Sequence, residues 1–477
     1  CNMRRPSIFR CGCGRRMRGL REEASRTTTS ASGVARRHGI APSLLATIID
    51  PFVRGEGSRN QASGGYGLGL SIANWTGLVT EMDKIGGEGP AGQFYTRKDW
   101  QTKDQPSIWG QGIPSQLSET IDWVVAGEDD VWGSDDDSDI EYIYLQLMHN
   151  TRQPLLSAEQ IRSGWLAHIY TDSDTPFKTA EGKPENFLWV SNQQAFDLMQ
   201  QDILPPFTGM PAYNPHYDMI DAQLTTELFG ILAPFRADIA SKLAYLPIRT
   251  TAYGEAADIA NFYVVMHALA AGVDPAKAIQ PQLLQIAKQA RAELPSNQYP
   301  AKMYDYVWSL YQSGMPWEQA RDKLYQRYQV EAKDGYEITG KKLYCNGCFA
   351  AGINFAASLV SLFYGEGDMQ NTIKIAVLAG WDSDNPAATW GGLYGFMLGK
   401  TAVEQAFGRS FSDKFNIHRT RKGFANNGID TFDQMALMAT AIVDQVVVQH
   451  MAVKTTTKSA AGCWHIPAFV APAVSPL

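Results

Sequence analysis

Gly380-Trp-Asp-Ser-Asp-Asn-Pro386 follows the mostly apolar run Ile373 to Ala379 and leads into Ala387-Ala-Thr-Trp-Gly-Gly-Leu-Tyr-Gly395. Pro386 suits the first turn of a helix, where a missing N–H costs nothing. The small residues Ala387, Ala388, Gly391, Gly392 and Gly395 allow that helix to press closely against others, which carries the preceding turn inward with it. Buried carboxylates are costly unless something compensates their charge. Two carboxylates two residues apart, Asp382 and Asp384, with the amide oxygen of Asn385 beside them, suit a hard divalent cation bound through oxygen. Taken alone, the same turn also serves as an ordinary solvated helix cap.

A second acidic stretch lies about 250 residues earlier: Ser134-Asp-Asp-Asp-Ser-Asp139, just before the helical stripe Ile140, Ile143, Tyr144, Leu147 and Met148. Asp135, Asp136 and Asp137 therefore fall at a helix N-terminus, where free amide donors and the helix dipole favour negative charge. Capping needs one such residue. Five acidic residues among the seven from Asp135 to Glu141 repel one another unless a cation or solvent screens them.

Outward from these clusters the texture is helical. Ile259, Phe262, Tyr263 and Met266 form another stripe, and residues 276–294, 316–330, 347–363, 370–380, 386–400 and 432–450 read as helices with short breaks between them. Long alternating strand patterns are absent, so the expected fold class is mainly α, one large helical domain over about 74–450. At 477 residues and 44% hydrophobic, the chain has ample material for such a core. Residues 1–42 read as a basic, disordered arm and 451–477 as a loose tail. Because the chain begins at Cys1, it reads as a piece or a processed product.

The net charge of −7 is unevenly spread. Ten Arg against Glu22 and Glu23 give residues 1–37 a surplus of eight positive charges, which leaves the rest at about −15. Such a body lacks the clustered cations of a phosphate-tracking groove, so nucleic acid is not an expected partner. Neither a membrane-spanning run nor a secretory leader is evident, so no membrane association and a cytoplasmic location are the expectations; the oligomeric state is not legible. Cys345-x-x-Cys348 lacks the second pair or nearby His of a zinc site and reads as structural.

Together the two acidic clusters resemble the paired signatures of the ADP-ribosylglycohydrolase family, an early Thr-Asp-Asp-Thr type motif that opens a helix and a late Gly-Asp-Thr-Asp-Thr type motif. The resemblance extends to Asn74-Trp-Thr-Gly-Leu-Val-Thr-Glu-Met-Asp83, Met219-Ile-Asp-Ala-Gln-Leu-Thr-Thr-Glu227, Arg249-Thr-Thr-Ala-Tyr-Gly254 and Tyr344-Cys-Asn-Gly-Cys-Phe-Ala-Ala-Gly352. It implies a compact orthogonal multi-helix bundle with two Mg2+ or Mn2+ ions, and a metal-dependent hydrolase that cleaves a glycosidic bond at the ribose of an ADP-ribosyl or similar ribosyl substrate. Carried onto this chain, the metal ligands would be Asp135, Asp136, Asp137, Asp382, Asp384 and Asn385, with Asp135 and Asn385 where the family usually has Thr. Asp136, Asp137 and Glu81 would be catalytic and Asp221 substrate-binding; for Glu81 solvation, and for Asp221 helix capping, are the plainer alternatives.

Phe52-Val-Arg-Gly-Glu-Gly-Ser-Arg59 and Gly64-Gly-Tyr-Gly-Leu-Gly-Leu70 resemble the closing part of a sensor histidine kinase ATPase domain, whose glycine-rich lid covers phosphates. On that reading, residues 43–73 are a truncated kinase-like segment, and the first helix of the family bundle is incomplete. Two rival functions follow: an ATP-binding kinase remnant, or a scaffold that holds ADP-ribose without cleaving it.

Overall fold

The glycine-rich stretch is helical. Helix α1 (Glu56–Gly77) runs without a break across the expected boundary at residue 73 and delivers Asn74 to the acidic region. In this computed structural model the described residues are 56–108, 117–179, 181–337, 344–417, 420–451 and 466. The expected basic arm, the kinase-like residues 43–55 and nearly all of the expected tail lie outside them.

The glycines in α1 serve close packing against α12 (Asp384–Leu398). A Cβ on Gly69 would lie 2.1 Å from the Gly391 carbonyl oxygen, one on Gly65 2.3 Å from that of Gly395, and one on Gly77 2.3 Å from the Asp384 Cα. Gly64 to Gly69 thus lie in a helix and form no loop over a ligand, and α1 reaches Gly77 intact, which corrects the expectation of an incomplete first helix.

Between α1 and α12 in sequence come α2 (Asp136–Thr151), α3 (Ala158–His168), α4 (Val190–Gln200), α5 (Ala237–Thr251), α6 (Glu255–Ala270), α7 (Ile279–Glu293), α8 (Tyr299–Gln312), α9 (Trp317–Leu324), α10 (Ala351–Tyr364) and α11 (Met369–Ala379). Helices α13 (Lys400–Phe407) and α14 (Phe432–His450) complete a mainly α bundle, as the periodicity predicts. The core is built on α6, α10 and α12, which are buried nearly all round because their sequences are apolar or small on every face. The sheet present among the described residues is the antiparallel pair β1 (Lys414–Asn416) and β2 (Ile429–Thr431).

Local chemistry sets the element ends. Ser157 and Gln160 form a capping box at α3, while Asp368 and Thr431 cap α11 and α14 by accepting from the backbone N–H of Asn371 and Gln434. Gly380, at φ +100°, stops α11 in a conformation that other residues adopt rarely, so the chain turns sharply into the Asp382 loop. Cys345 and Cys348 are joined in a disulfide just before Phe349.

Candidate functional site

The loop between α11 and α12 is pinned from several sides. Trp381 N–H donates to the Lys84 carbonyl at 2.7 Å, its carbonyl accepts from Met82 N–H at 2.9 Å, and its indole N–H donates to Gln329 Oε1 at 2.8 Å. Thr80 Oγ1 donates to the Val377 carbonyl at 2.7 Å and sits 2.9 Å from Ser383 Oγ, which itself donates to the Gly77 carbonyl. This lacing binds the 77–85 turn to the Asp382 loop. As a result, one carboxylate oxygen each from Glu81, Asp382 and Asp384 lies within 4.8 Å of the other two. Asn354 on α10 steadies the loop, accepting from Asp382 N–H at 3.2 Å and donating to the Cys348 carbonyl at 2.8 Å.

Asp135 is the N-cap of α2: its Oδ1 accepts from Ser138 N–H at 2.8 Å and its Oδ2 from the Asn74 side chain. Asp136 and Asp137 occupy the first turn and share one donor, Asn192, whose Nδ2 lies 3.3 Å from Asp136 Oδ2 and 3.1 Å from Asp137 Oδ1. The backbone N–H of Asn192 reaches Asp221 Oδ1 at 3.3 Å, and Trp189 N–H reaches Asp136 Oδ2 at the same distance. The start of α4 is therefore a bracket that holds three carboxylates.

All eight residues singled out in the sequence, Glu81, Asp135, Asp136, Asp137, Asp221, Asp382, Asp384 and Asn385, line one cavity, together with Leu78, Trp189, Val190, Ile220 and Phe349. Asp382, Asp384 and Asn385 are buried; Glu81 is partly exposed at the cavity, so it is not the isolated solvated Glu that its sequence context allowed. Asn192 and Asn354 had no sequence signal, since each acts through hydrogen bonds to residues remote in the chain; Asn74 lay in a stretch that resembles the family, without a role assigned to it.

Seven carboxylates in one cavity resist ionising together. Burial first, then Asp384, Asp135 and Asp136, push Glu81 well above the usual carboxylate range. Burial, Asp384 and Glu81 do the same to Asp382; burial and its three acidic neighbours do so to Asp137. Asp136 and Asp384 are pushed up to about 7, again chiefly by burial, with Arg421 opposing the shift at Asp136. Asp221 is raised to about 6 by burial, against hydrogen bonds from Ser191 and Asn192. Buried oxygens Asp384 Oδ1 and Asn385 Oδ1 have no protein hydrogen-bond partner. Orphaned hard oxygen donors among excess negative charge fit divalent cations such as Mg2+ or Mn2+.

The family model described as ADP-ribosylglycohydrolase matches residues 60–440. The chain belongs to the ADP-ribosylglycohydrolase family. Both acidic motifs, Glu81, Asp221 and the greater part of α1 lie inside the matched span of this family of hydrolases. A solved structure described as an ADP-ribosylglycohydrolase-related protein complex is 14% identical, with a TM-score of 0.45, and the alignment covers 81% of this chain and 98% of that one. No curated protein matches the chain. Among the described residues, no helix of this family member is long and apolar enough to cross a membrane.

Proposed function

We propose that this protein is a metal-dependent glycoside hydrolase that cleaves the bond at the anomeric carbon of an ADP-ribosyl or similar ribosyl group. The observation that carries the reading is the convergence of two acidic motifs and Glu81 on one cavity with orphaned buried oxygens at Asp384 and Asn385. Asp135, Asp136, Asp137, Asp382, Asp384 and Asn385 would hold two ions, Mg2+ or Mn2+. Once bound, such ions supply Lewis-acid polarisation of the substrate hydroxyls and offset the carboxylate charge.

The protein's own groups do the rest. Asn192 and Trp189 N–H orient the first-turn carboxylates of α2, and the backbone of Asn192 fixes Asp221 where a substrate hydroxyl is met. Cleavage places positive charge on the sugar ring, which the surrounding carboxylates stabilise as it develops, while a water adds to the anomeric carbon and gives up its proton to Asp136 or Asp137. Glu81, at the cavity beside Asp384, is the group that would pass a proton to the departing atom as the bond breaks. Trp189, Phe349 and Leu78 form the apolar side of the cavity.

Calorimetric titration of Mg2+ and Mn2+ into metal-stripped protein, run beside a turnover assay on ADP-ribosyl conjugates, tests this. The expected result is about two ions bound and metal-dependent release of ADP-ribose. Asp384→Asn is expected to lose at least one ion and, roughly, two or more orders of magnitude in rate. Glu81→Gln is expected to keep ion binding while losing turnover. Ion binding with retained ADP-ribose affinity and no cleavage of any conjugate would replace the hydrolase by a non-catalytic ADP-ribose scaffold.

A further inference from the structure

A second cavity lies two residues back along the turn that leads to Asp221. That segment is fixed by Ala351 N–H donating to the Asp218 carbonyl and Ile220 N–H donating to the Phe349 carbonyl, both at 3.0 Å. The acidic cleft opens at the Ile220 end; the second cavity opens at the Tyr217 end and shares no lining residue with it. Its volume, about 180 Å3, exceeds the roughly 100 Å3 of the cleft.

The lining residues include Tyr217, Tyr253, Tyr299 and Tyr336 with Asp218, Glu255 and Glu337, and among the described residues no Lys, Arg or His lines it. Tyr299 and Tyr336 meet edge to face with ring centroids 5.0 Å apart, which presents the negative face of one ring beside the edge of the other. Tyr336 is 2% exposed, and among the described residues its hydroxyl donates to no protein group. Tyr253, 41% exposed, stands at the mouth. Asp218 is buried, and among the described residues neither Glu255 nor Glu337 has an ion-pair partner. Burial pushes the Tyr299 hydroxyl far up, and Tyr336, Glu255 and Asp218 push it further.

Aromatic faces combined with carboxylates attract a soft, weakly hydrated cation and repel anions. A bare metal ion gains little from ring faces, and a phosphate finds no positive partner among the described lining residues; a guanidinium or alkylammonium group gains from both surfaces at once. We propose that this pocket is a binding site for an organic cation, a guanidinium or alkylammonium group, separate from the acidic cleft. The proposal is independent of the hydrolase reading, because it requires neither bound metal nor turnover.

The test is calorimetric titration of the full chain with agmatine, tetramethylammonium and an arginine-containing tripeptide, with sodium chloride and inorganic pyrophosphate as controls. Saturable binding of at least one organic cation is expected, with none for either control. Agmatine and tetramethylammonium report a free small cation, whereas binding confined to the tripeptide identifies a peptide side chain as the source. Glu255→Gln, isosteric and on a partly exposed side chain, is expected to weaken binding by about tenfold, and Tyr253→Ala by a similar factor. Asp384→Asn is expected to leave it unchanged. If Tyr253→Ala does not fold, Glu255→Gln carries the test alone. Absence of saturable binding by all three cations overturns the proposal; so does an affinity that survives Glu255→Gln but falls in Asp384→Asn, which would move the cation into the acidic cleft.

Discussion

Asn192 holds two carboxylates of the cleft with one amide and a third with its backbone, which makes it the residue whose loss separates orientation from charge. Asn192→Ala leaves every carboxylate in place but frees Asp136 and Asp137 to rotate. The expected result in a Mn2+ titration is an affinity lower by roughly 10–100-fold, with little change in helical content; an unchanged affinity would show that α2 alone sets those carboxylates. A different acidic pair lies deeper in the core. Tyr66 donates to Glu141 Oε2 at 2.9 Å and lies 3.4 Å from Glu227 Oε1, and His267 Nε2 is 4.0 Å from Glu227. Burial raises Glu141 to about 8, opposed by the Leu228 N–H and Tyr66, and it drives Glu227 well above the usual range with Glu141 adding to the shift. Folded Glu141 thus keeps a proton that the unfolded chain releases at about pH 4.3, so its contribution to stability is full below that pH and declines as pH rises towards 8. Glu141→Gln preserves an acceptor for Tyr66 and cannot ionise. It is expected to raise Tm at pH 8, by roughly 2–4 °C for each kcal/mol regained, and to change it little at pH 4; equal shifts at both pH values would show that Glu141 does not titrate in this window.

At the scale of elements, the seam between α1 and α12 connects packing to chemistry. Glycine is poor helix material by about 1 kcal/mol relative to alanine. Along this seam that cost is offset by contact so close that the Cβ of an alanine at position 69 would lie 2.1 Å from the Gly391 oxygen. Gly69→Ala is therefore expected to lower stability, by roughly 1–3 kcal/mol in chemical denaturation, in spite of the better helix propensity. A gain of about 1 kcal/mol would mean that the two helices do not approach in this way. The seam ends at Gly77 against Asp384, so forcing the helices apart also displaces a cleft carboxylate. The glycine pattern that resembled a phosphate lid is the pattern that close helix contact requires. Sequence spacing alone did not separate the two, because a lid and a helix seam both need the absence of a side chain.

For the whole molecule, the acidic cleft makes stability depend on cations. Without ions, the fold concentrates carboxylates that the unfolded chain would separate, so ions that bind only the folded state should stabilise it. Tm is expected to rise with Mn2+ concentration, by an amount equivalent to about 2.7 kcal/mol at one hundred times Kd, and the rise should shrink in Asp384→Asn. A flat response would show that repulsion in the cleft is relieved by protonation alone. The sequence by itself determined the helical class, through the three- and four-residue spacing of Ile140 to Met148 and Ile259 to Met266, and it marked Asp135 to Asp137 and Asp382 to Asn385 through the resemblance of the paired clusters to the family's acidic motifs, since crowded carboxylates at a helix start also serve as ordinary caps. Only the tertiary structure decided that Glu81 stands within 4.8 Å of Asp382 and Asp384, that Asn192 brackets Asp136 and Asp137, and that four tyrosines share a pocket with three acidic residues. The physical reason is range. Helix periodicity and capping act over a few residues and leave a mark in the order of the chain, whereas a cavity is closed by residues as far apart as Glu81 and Asp384, and nothing local to either one encodes the other.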